Sequence, residues 1–462
     1  MEIKKKNINK ILIFFLFTHV IIWTLVPNFS NTNLPLDTIE ALAWGNDLQF
    51  GYEKHPPLSA WALEFFYRLF GNSDWAYYFL SQIFVICSFI IVFKFSEFFF
   101  KEKTYSLISV LLLEGIYFYN FTSVEFNVNV CQLPFWALTV FYCWKGSQNN
   151  KISDWLLFGI FAAFGVLSKY LFIYLLIAVD IYLFYLIANK KFDFKCFYSL
   201  ITFILILLPH LIWLIDNNYK TIDYAVFRSL DDPLTGIGDS KFLDHIFYPF
   251  IFLSKQIGIL IPFLIMFFVL VFKFKTKINF KDKKLLFLIL INVTPIILIF
   301  LTSLLTGTRI RTMGMTPFYL FFGVFLVYMF QNYINFKKIK YFIYIFLFFF
   351  ILSPAAYYFT STSQSDKRTD YPGKKISQKI QKQWDNNFSN KIEMVVGYGW
   401  IYGWYAQNLS YHLDSRPKWK AKLDKNTNVG TIWIKSFNEI NNCEGILYQI
   451  KPYNDVCMLG KK

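Results

Sequence analysis

The chain has 462 residues, 56% of them apolar and only 16% charged, with 57 Phe and a mean hydropathy of +0.40. A soluble domain carries about 45–50% apolar and about 25% charged residues, so an ordinary cytosolic enzyme and a disordered protein are both excluded. The net charge of +16 invites a nucleic-acid reading, but most Lys residues sit in short clusters between apolar blocks, where membrane topology accounts for them; no nucleic-acid partner is expected.

The apolar residues run in long blocks instead of alternating, which points to helices crossing a bilayer. Eleven blocks are predicted to span: 11–27, 77–100, 104–122, 127–144, 153–168, 170–188, 197–215, 248–272, 285–305, 313–334 and 341–359. Alternate gaps are basic, as cytoplasmic loops are. Lys4, Lys5, Lys6 and Lys10 precede the first block, Lys101 and Lys103 follow the second, and Lys145 and Lys151 the fourth. Lys190, Lys191 and Lys195, then the run from Lys273 to Lys284, then Lys337, Lys338 and Lys340 continue the pattern. Both flanks of 153–188 are basic, so that stretch is a tight hairpin. This parity puts the N-terminus in the cytoplasm and the C-terminus outside. Val26-Pro27-Asn28-Phe29 offers no small-x-small cleavage site, so the first block is expected to be a retained anchor.

Three outer segments are long enough to hold chemistry: 28–76, 216–247 and 360–462. The last turns abruptly polar after 359. It holds a strand-like run, Glu393-Met394-Val395-Val396, and a helix-like run from Ile401 to Leu413. The expected fold class is an all-α polytopic membrane protein of about eleven transmembrane helices. Its domain 1–359 carries outer loop 28–76, and a small α/β extracytoplasmic domain occupies 360–462. Cys443 and Cys457 both lie in that exported tail, where oxidation is permitted. A disulfide between them would close a loop of about 15 residues and contribute about 3 kcal/mol on the chain-entropy model.

No Walker loop, strand-linked GxGxxG, HExxH or GxSxG occurs, so chemistry must come from polar residues at the outer face. The first outer loop is the richest stretch. Asp37 and Glu40, three apart, share one face of a helix, although Asp37 at a helix start also reads as a capping or dipole partner. Lys54-His55-Pro56-Pro57 follows, the prolines opening a second helix whose Trp61, Phe65 and Phe66 suit the membrane interface. Cations beside a helix N-terminus make an anion site suited to a lipid phosphate.

These residues carry a resemblance. Asp-x-x-Glu after the first span, then Lys-His-Pro-Pro-Leu-x-x-Trp, resembles the polytopic glycosyltransferases of the GT-C class. More narrowly, it resembles the bacterial group related to protein O-mannosyltransferases and to the lipid A aminoarabinose transferase. Glu125-Phe126-Asn127-Val128-Asn129 with Leu133-Pro134-Phe135-Trp136 resembles the family's second-loop motif, and Leu167-Ser168-Lys169-Tyr170 its Ser-Lys-Tyr turn. Pro209-His210-Leu211-Ile212-Trp213 leads, as in the family, to a loop bearing Tyr224 and Arg228. Thr308-Arg309-Ile310-Arg311 is a looser match. The resemblance covers about 1–360.

It implies a sugar donor carried on a polyprenyl (undecaprenyl) phosphate and an envelope acceptor, such as lipid A, the core of lipopolysaccharide, another glycolipid or a protein, at the outer face of the bacterial inner membrane. Asp37 matches the family's catalytic position, with Glu40 beside it; Asp37 would take or orient the acceptor proton. Lys54, His55 and Arg228 would meet the leaving phosphate. Glu125, Asn127, Lys169, Arg309 and Arg311 are the further substrate-binding candidates. No cofactor is certain. If the acceptor is itself a phosphate no base is needed, and Asp37 would position a group or, with Glu40, bind a divalent cation. Lys54 stands where some relatives carry an acid, which weighs against a metal ligand there. The rival from another class is a polytopic transporter or lipid flippase, which would want ionisable residues and broken helices near the midplane; here the polar motifs gather on one side.

Overall fold

The computed structural model describes residues 5–189, 194–230, 241–273, 279–363, 366–422, 429–435, 443, 445–450 and 454–462. The membrane part opens with α1 (Lys5–Ser30), α2 (Leu36–Gly45), α3 (Leu58–Phe70), α4 (Asp74–Ser96) and α5 (Lys103–Leu111). It continues through α6 (Val128–Cys131), α7 (Leu133–Asn149), α8 (Ile152–Ser168), α9 (Ile173–Ala188), α10 (Tyr198–Asp216) and α11 (Lys220–Leu230). It closes with α12 (Lys241–Leu270), α13 (Lys283–Thr306), α14 (Phe322–Phe330) and α15 (Ile339–Ser363).

Among the described residues seven helices are long and apolar enough to cross a membrane, or eight if the pair Thr312–Tyr319 and Phe322–Tyr333, bent by 50°, is one span. The protein is a multi-pass membrane protein. The eleven apolar blocks are all helical, but not all are full-length spans. Block 104–122 becomes α5 followed by two 3-10 turns, Leu112–Gly115 and Tyr117–Tyr119. Block 127–144 becomes the four-residue α6 and the 17-residue α7, and α8 also stops at 17 residues, roughly 25 Å of helix.

Local polar chemistry explains the first break. The Glu114 carboxylate meets His19 Nδ1 of α1 at 3.1 Å, both side chains fully buried. Asn120 Nδ2 donates to the Glu114 carbonyl at 2.8 Å and to its carboxylate at 3.3 Å. That carbonyl is thereby satisfied by a side chain, and the helix gives way to turns. Removing one partner of such a pair strands the other in the core. Glu114→Ala is expected to cost about 3–5 kcal/mol and lower the thermal unfolding midpoint, followed by tryptophan fluorescence in detergent. Glu114→Gln, which still hydrogen-bonds, should lose much less.

α8 packs between α7 and α10, α1 against α4 and α15, and α13 against α9 and α12. The α8–α10 contact is close enough that a Cβ on Gly159 would lie 2.0 Å from the Ser199 carbonyl oxygen.

The C-terminal unit has its own core. α16 (Gly373–Asn387) and α17 (Gly399–His412) accompany β1 (Met394–Gly397), β2 (Lys418–Lys420), β3 (Thr431–Lys435), β4 (Ile446–Ile450) and β5 (Asn454–Leu459). The five strands form one mixed sheet in the order β2-β1-β3-β5-β4. β1 is parallel to β2 and β3, whereas β5 runs antiparallel to β3 and β4. Ile376, Ile380 and Trp384 of α16 and Trp404 and Leu409 of α17 bury against Val395, Ile432 and Val456 of the sheet. Cys443 and Cys457 form a disulfide, with 5.8 Å between their Cα atoms.

α17 lies against both β1 and α2, so it is the bridge between the two units. Polar contacts fix the bridge. Asn33 donates to Asn408 at 2.8 Å and meets His412 Nε2 at 2.9 Å, Tyr411 donates to Asp74 at 2.6 Å, and Arg416 pairs with Glu64 at 2.5 Å.

Candidate functional site

α2 begins after Pro35, which has no side chain to cap the helix. The cap comes from another segment: Glu125 Oε1 accepts the Asp37 main-chain N–H at 2.9 Å, and Thr38 Oγ1 donates to the Phe126 carbonyl at 3.1 Å. Asn127 holds this segment in shape. Its Oδ1 accepts from the N–H groups of Asn129 and Val130 at the start of α6, and its Nδ2 donates to Glu125 Oε2 at 3.4 Å. Two carboxylates therefore meet at the first turn of α2. Burial raises both above the ordinary carboxylate range, and the Asp37 charge raises Glu125 further. Lys54, Lys169, Arg368 and Arg311 pull Asp37 back down, whereas Glu125 is pushed up to about 8 and so holds its proton at neutral pH.

One turn along α2, the buried Glu40 pairs with Lys54 and accepts a hydrogen bond from Gln407 of α17. Lys54 also stands over the rings of Tyr224 (5.8 Å) and Trp400 (5.1 Å). His55 is wedged edge-on between Trp44 and Tyr224. Desolvation, then Lys169 and Lys54, push its imidazole down to about 3. His55 is therefore neutral at physiological pH, not the second cation expected from the sequence.

Lys169 is the extended residue that ends α8, between it and the 3-10 turn Tyr170–Phe172. Its ammonium donates to Asn129 Oδ1 at 2.5 Å, and desolvation lowers it to about 8 even though Asp37 pulls the other way. Arg311 enters from a further element. α13 stops at Gly307, whose φ of +68° suits glycine, and Arg311 caps the 3-10 helix Thr312–Tyr319. Arg309 is exposed. The side chain of Arg228 lies outside the described residues.

Asp37, Glu40, Lys54, His55, Glu125, Asn127, Lys169 and Arg311 thus converge from four separate stretches of chain. Four more participants come with them. Asn129 stands inside a motif visible in the sequence. Arg368, Trp400 and Gln407 come from the tail, where no motif marks them. A divalent cation does not fit here. Glu40 is committed to Lys54, the Asp37–Glu125 pair faces four cations, and no group of three or more His, Cys, Asp or Glu side chains gathers among the described residues.

Known proteins share this architecture. Crystal structures of ArnT from Cupriavidus metallidurans, one bound to undecaprenyl phosphate and one in the apo state, superpose with a TM-score of 0.59 each. The alignments cover 96–97% of this chain and 97% of ArnT at 10–11% identity. The fold is that of the GT-C membrane glycosyltransferases. The profile of the dolichyl-phosphate-mannose-protein mannosyltransferase family matches residues 54–213. That stretch contains Lys54, His55, Glu125, Asn127 and Lys169 but starts after Asp37 and Glu40. The lipopolysaccharide core galacturonosyltransferase RgtB of Rhizobium johnstonii is 26% identical over 223 residues, which is 46% of this chain. The match spans only 43% of RgtB.

Proposed function

We propose that this GT-C chain transfers a sugar from a polyprenyl phosphate carrier to an envelope acceptor such as lipid A or lipopolysaccharide core, at the outer face of the bacterial inner membrane. The observation that carries the reading is the buried Asp37 carboxyl group set among Lys54, Lys169, Arg311 and Arg368. An acceptor hydroxyl attacks the anomeric carbon while Asp37 takes its proton. The bond from that carbon to the phosphate oxygen breaks, its electron pair stays on the phosphate, and the surrounding cations stabilise the charge. A raised carboxylate is a better base than an ordinary one, and the His55 imidazole, pushed down to about 3, is too weak a base to compete for the proton. RgtB acts on lipopolysaccharide core and ArnT binds undecaprenyl phosphate; both support this donor and acceptor class. The test is reconstitution with undecaprenyl-phosphate-linked sugars. Release of undecaprenyl phosphate is expected, together with envelope glycolipids that lack one sugar in a deletion strain by mass spectrometry. Unchanged glycolipids and no donor turnover would refute the reading.

Lys169 yields a pH prediction. Its folded-state value of about 8 lies below the unfolded one near 10.4, so keeping it charged costs stability. The cost is full below about pH 8 and fades as pH rises from there toward the unfolded value. Donor binding runs the other way, falling above pH 8 as the ammonium deprotonates. Lys169→Met should therefore melt higher than wild type at pH 7, lose donor affinity, and lose the alkaline limb of the donor KM profile. A lower melting point with an unchanged KM would contradict this.

A further inference from the structure

The cations of the site are not equally available. Lys54 is committed to Glu40 and Lys169 to Asn129. The side chain of Arg368, just beyond α15, makes no hydrogen bond or ion pair among the described residues. Its guanidinium lies over the indoles of Trp400 (4.9 Å) and Trp404 (5.9 Å). Stacking uses the flat face of a guanidinium and leaves its N–H edge free, the edge that takes a phosphate in bidentate fashion.

Trp400 is half exposed near the start of α17, and the same indole also carries Lys54 at 5.1 Å. One ring therefore gathers a cation from the membrane part and a cation from the tail, close enough for Arg368 to act on both Asp37 and Glu125. The arrangement is anchored. The carbonyl of Thr369, the next residue, accepts the N–H groups of Thr32 and Asn33 at 2.9 Å each, immediately before α2. Asn33 in turn is held by Asn408 and His412. Arg368 is thus fixed relative to Asp37 through both these main-chain bonds and α17.

Resting on the donor class proposed above, we infer that the C-terminal domain is part of the phosphate site: Arg368 grips the carrier phosphate, and Trp400 holds Arg368 and Lys54 on either side of it. Two cations on one indole repel each other, and a phosphate between them removes that repulsion. An empty carrier site therefore favours an anion with the shape of a phosphate monoester or diester over a neutral headgroup.

The experiment titrates undecaprenyl phosphate and, separately, undecaprenol into the full-length protein in nanodiscs, reading tryptophan fluorescence. Wild type is expected to prefer the phosphate. Arg368→Ala should lose about 10- to 100-fold of that preference while binding undecaprenol as before, which shows that the variant is folded. Arg368→Lys should recover only part, because an ammonium lacks the bidentate edge, and Trp400→Ala should lose the preference along with much of the fluorescence change. An Arg368→Ala protein with the wild-type preference would overturn the assignment while leaving the proposed function standing. A wild type that does not distinguish phosphate from alcohol would overturn both.

Discussion

Asp37→Asn is expected to lower kcat by about 10²- to 10⁴-fold, with abundance, membrane insertion and melting point close to wild type. The separation of activity from folding follows from the local geometry. Asp37 contributes its main-chain N–H to Glu125, and that bond survives the substitution; the asparagine side chain is isosteric. What changes is a carboxyl group that no ion pair holds among the described residues, whereas Glu40 is held by Lys54. Carrier affinity should not fall, because the four neighbouring cations then have one fewer anion to neutralise. A rise in donor KM comparable to the fall in kcat would mean that Asp37 shapes the binding site instead of taking the proton. The substitution also removes the charge that raises Glu125, so Glu125 ionises more easily and becomes the nearest substitute base. Asp37→Asn combined with Glu125→Gln should remove the residual rate, whereas Glu125→Gln alone, which mimics the protonated acid, should be mild. Activity near normal in Asp37→Asn would take Asp37 out of the mechanism.

The parts of this site that the sequence exposes are those whose chemistry is local. Lys54-His55-Pro56-Pro57 is contiguous, and α3 does begin at Leu58, directly after the prolines. The strand-like and helix-like runs of the tail are β1 and α17 for the same reason: each is written in its own residues. Relations across the chain are not written locally. Glu125 caps α2 at Asp37, 88 residues earlier, and nothing near Glu125 reports it. The neutrality of His55 depends on burial between Trp44 and Tyr224 and on Lys169, more than a hundred residues away. Glu114, visibly out of place in an apolar block, is answered by His19, and the apolar pattern alone does not show that the helix breaks there. The tail residues at the site carry no local mark in the sequence. Arg368 and Trp400 look like ordinary surface side chains until α17 is docked on α2.

Lys54→Ala is expected to raise donor KM and lower kcat together, by a combined factor of about 10²–10³, the usual loss when one preorganised positive group is removed from a developing oxyanion. It should also destabilise the protein, by somewhat less than the roughly 3–5 kcal/mol of a fully buried pair, because Lys54 keeps a fifth of its side-chain surface exposed (21%). Both losses have two readings: the ammonium serves the phosphate, or it serves only to neutralise Glu40. A second substitution separates them. Glu40→Gln removes the charge that Lys54 balances and keeps a side chain able to bond Gln407. If Lys54 only balances Glu40, the double variant Lys54→Ala, Glu40→Gln regains both stability and activity. If Lys54 serves the carrier phosphate, stability returns and activity does not. The second outcome is expected, because an ammonium that also rests on the exposed Trp400 indole can swing from the carboxylate to an incoming anion with little movement. Recovery of full turnover in the double variant would reassign Lys54 to folding and leave the leaving group to Arg311, Lys169 and Arg368.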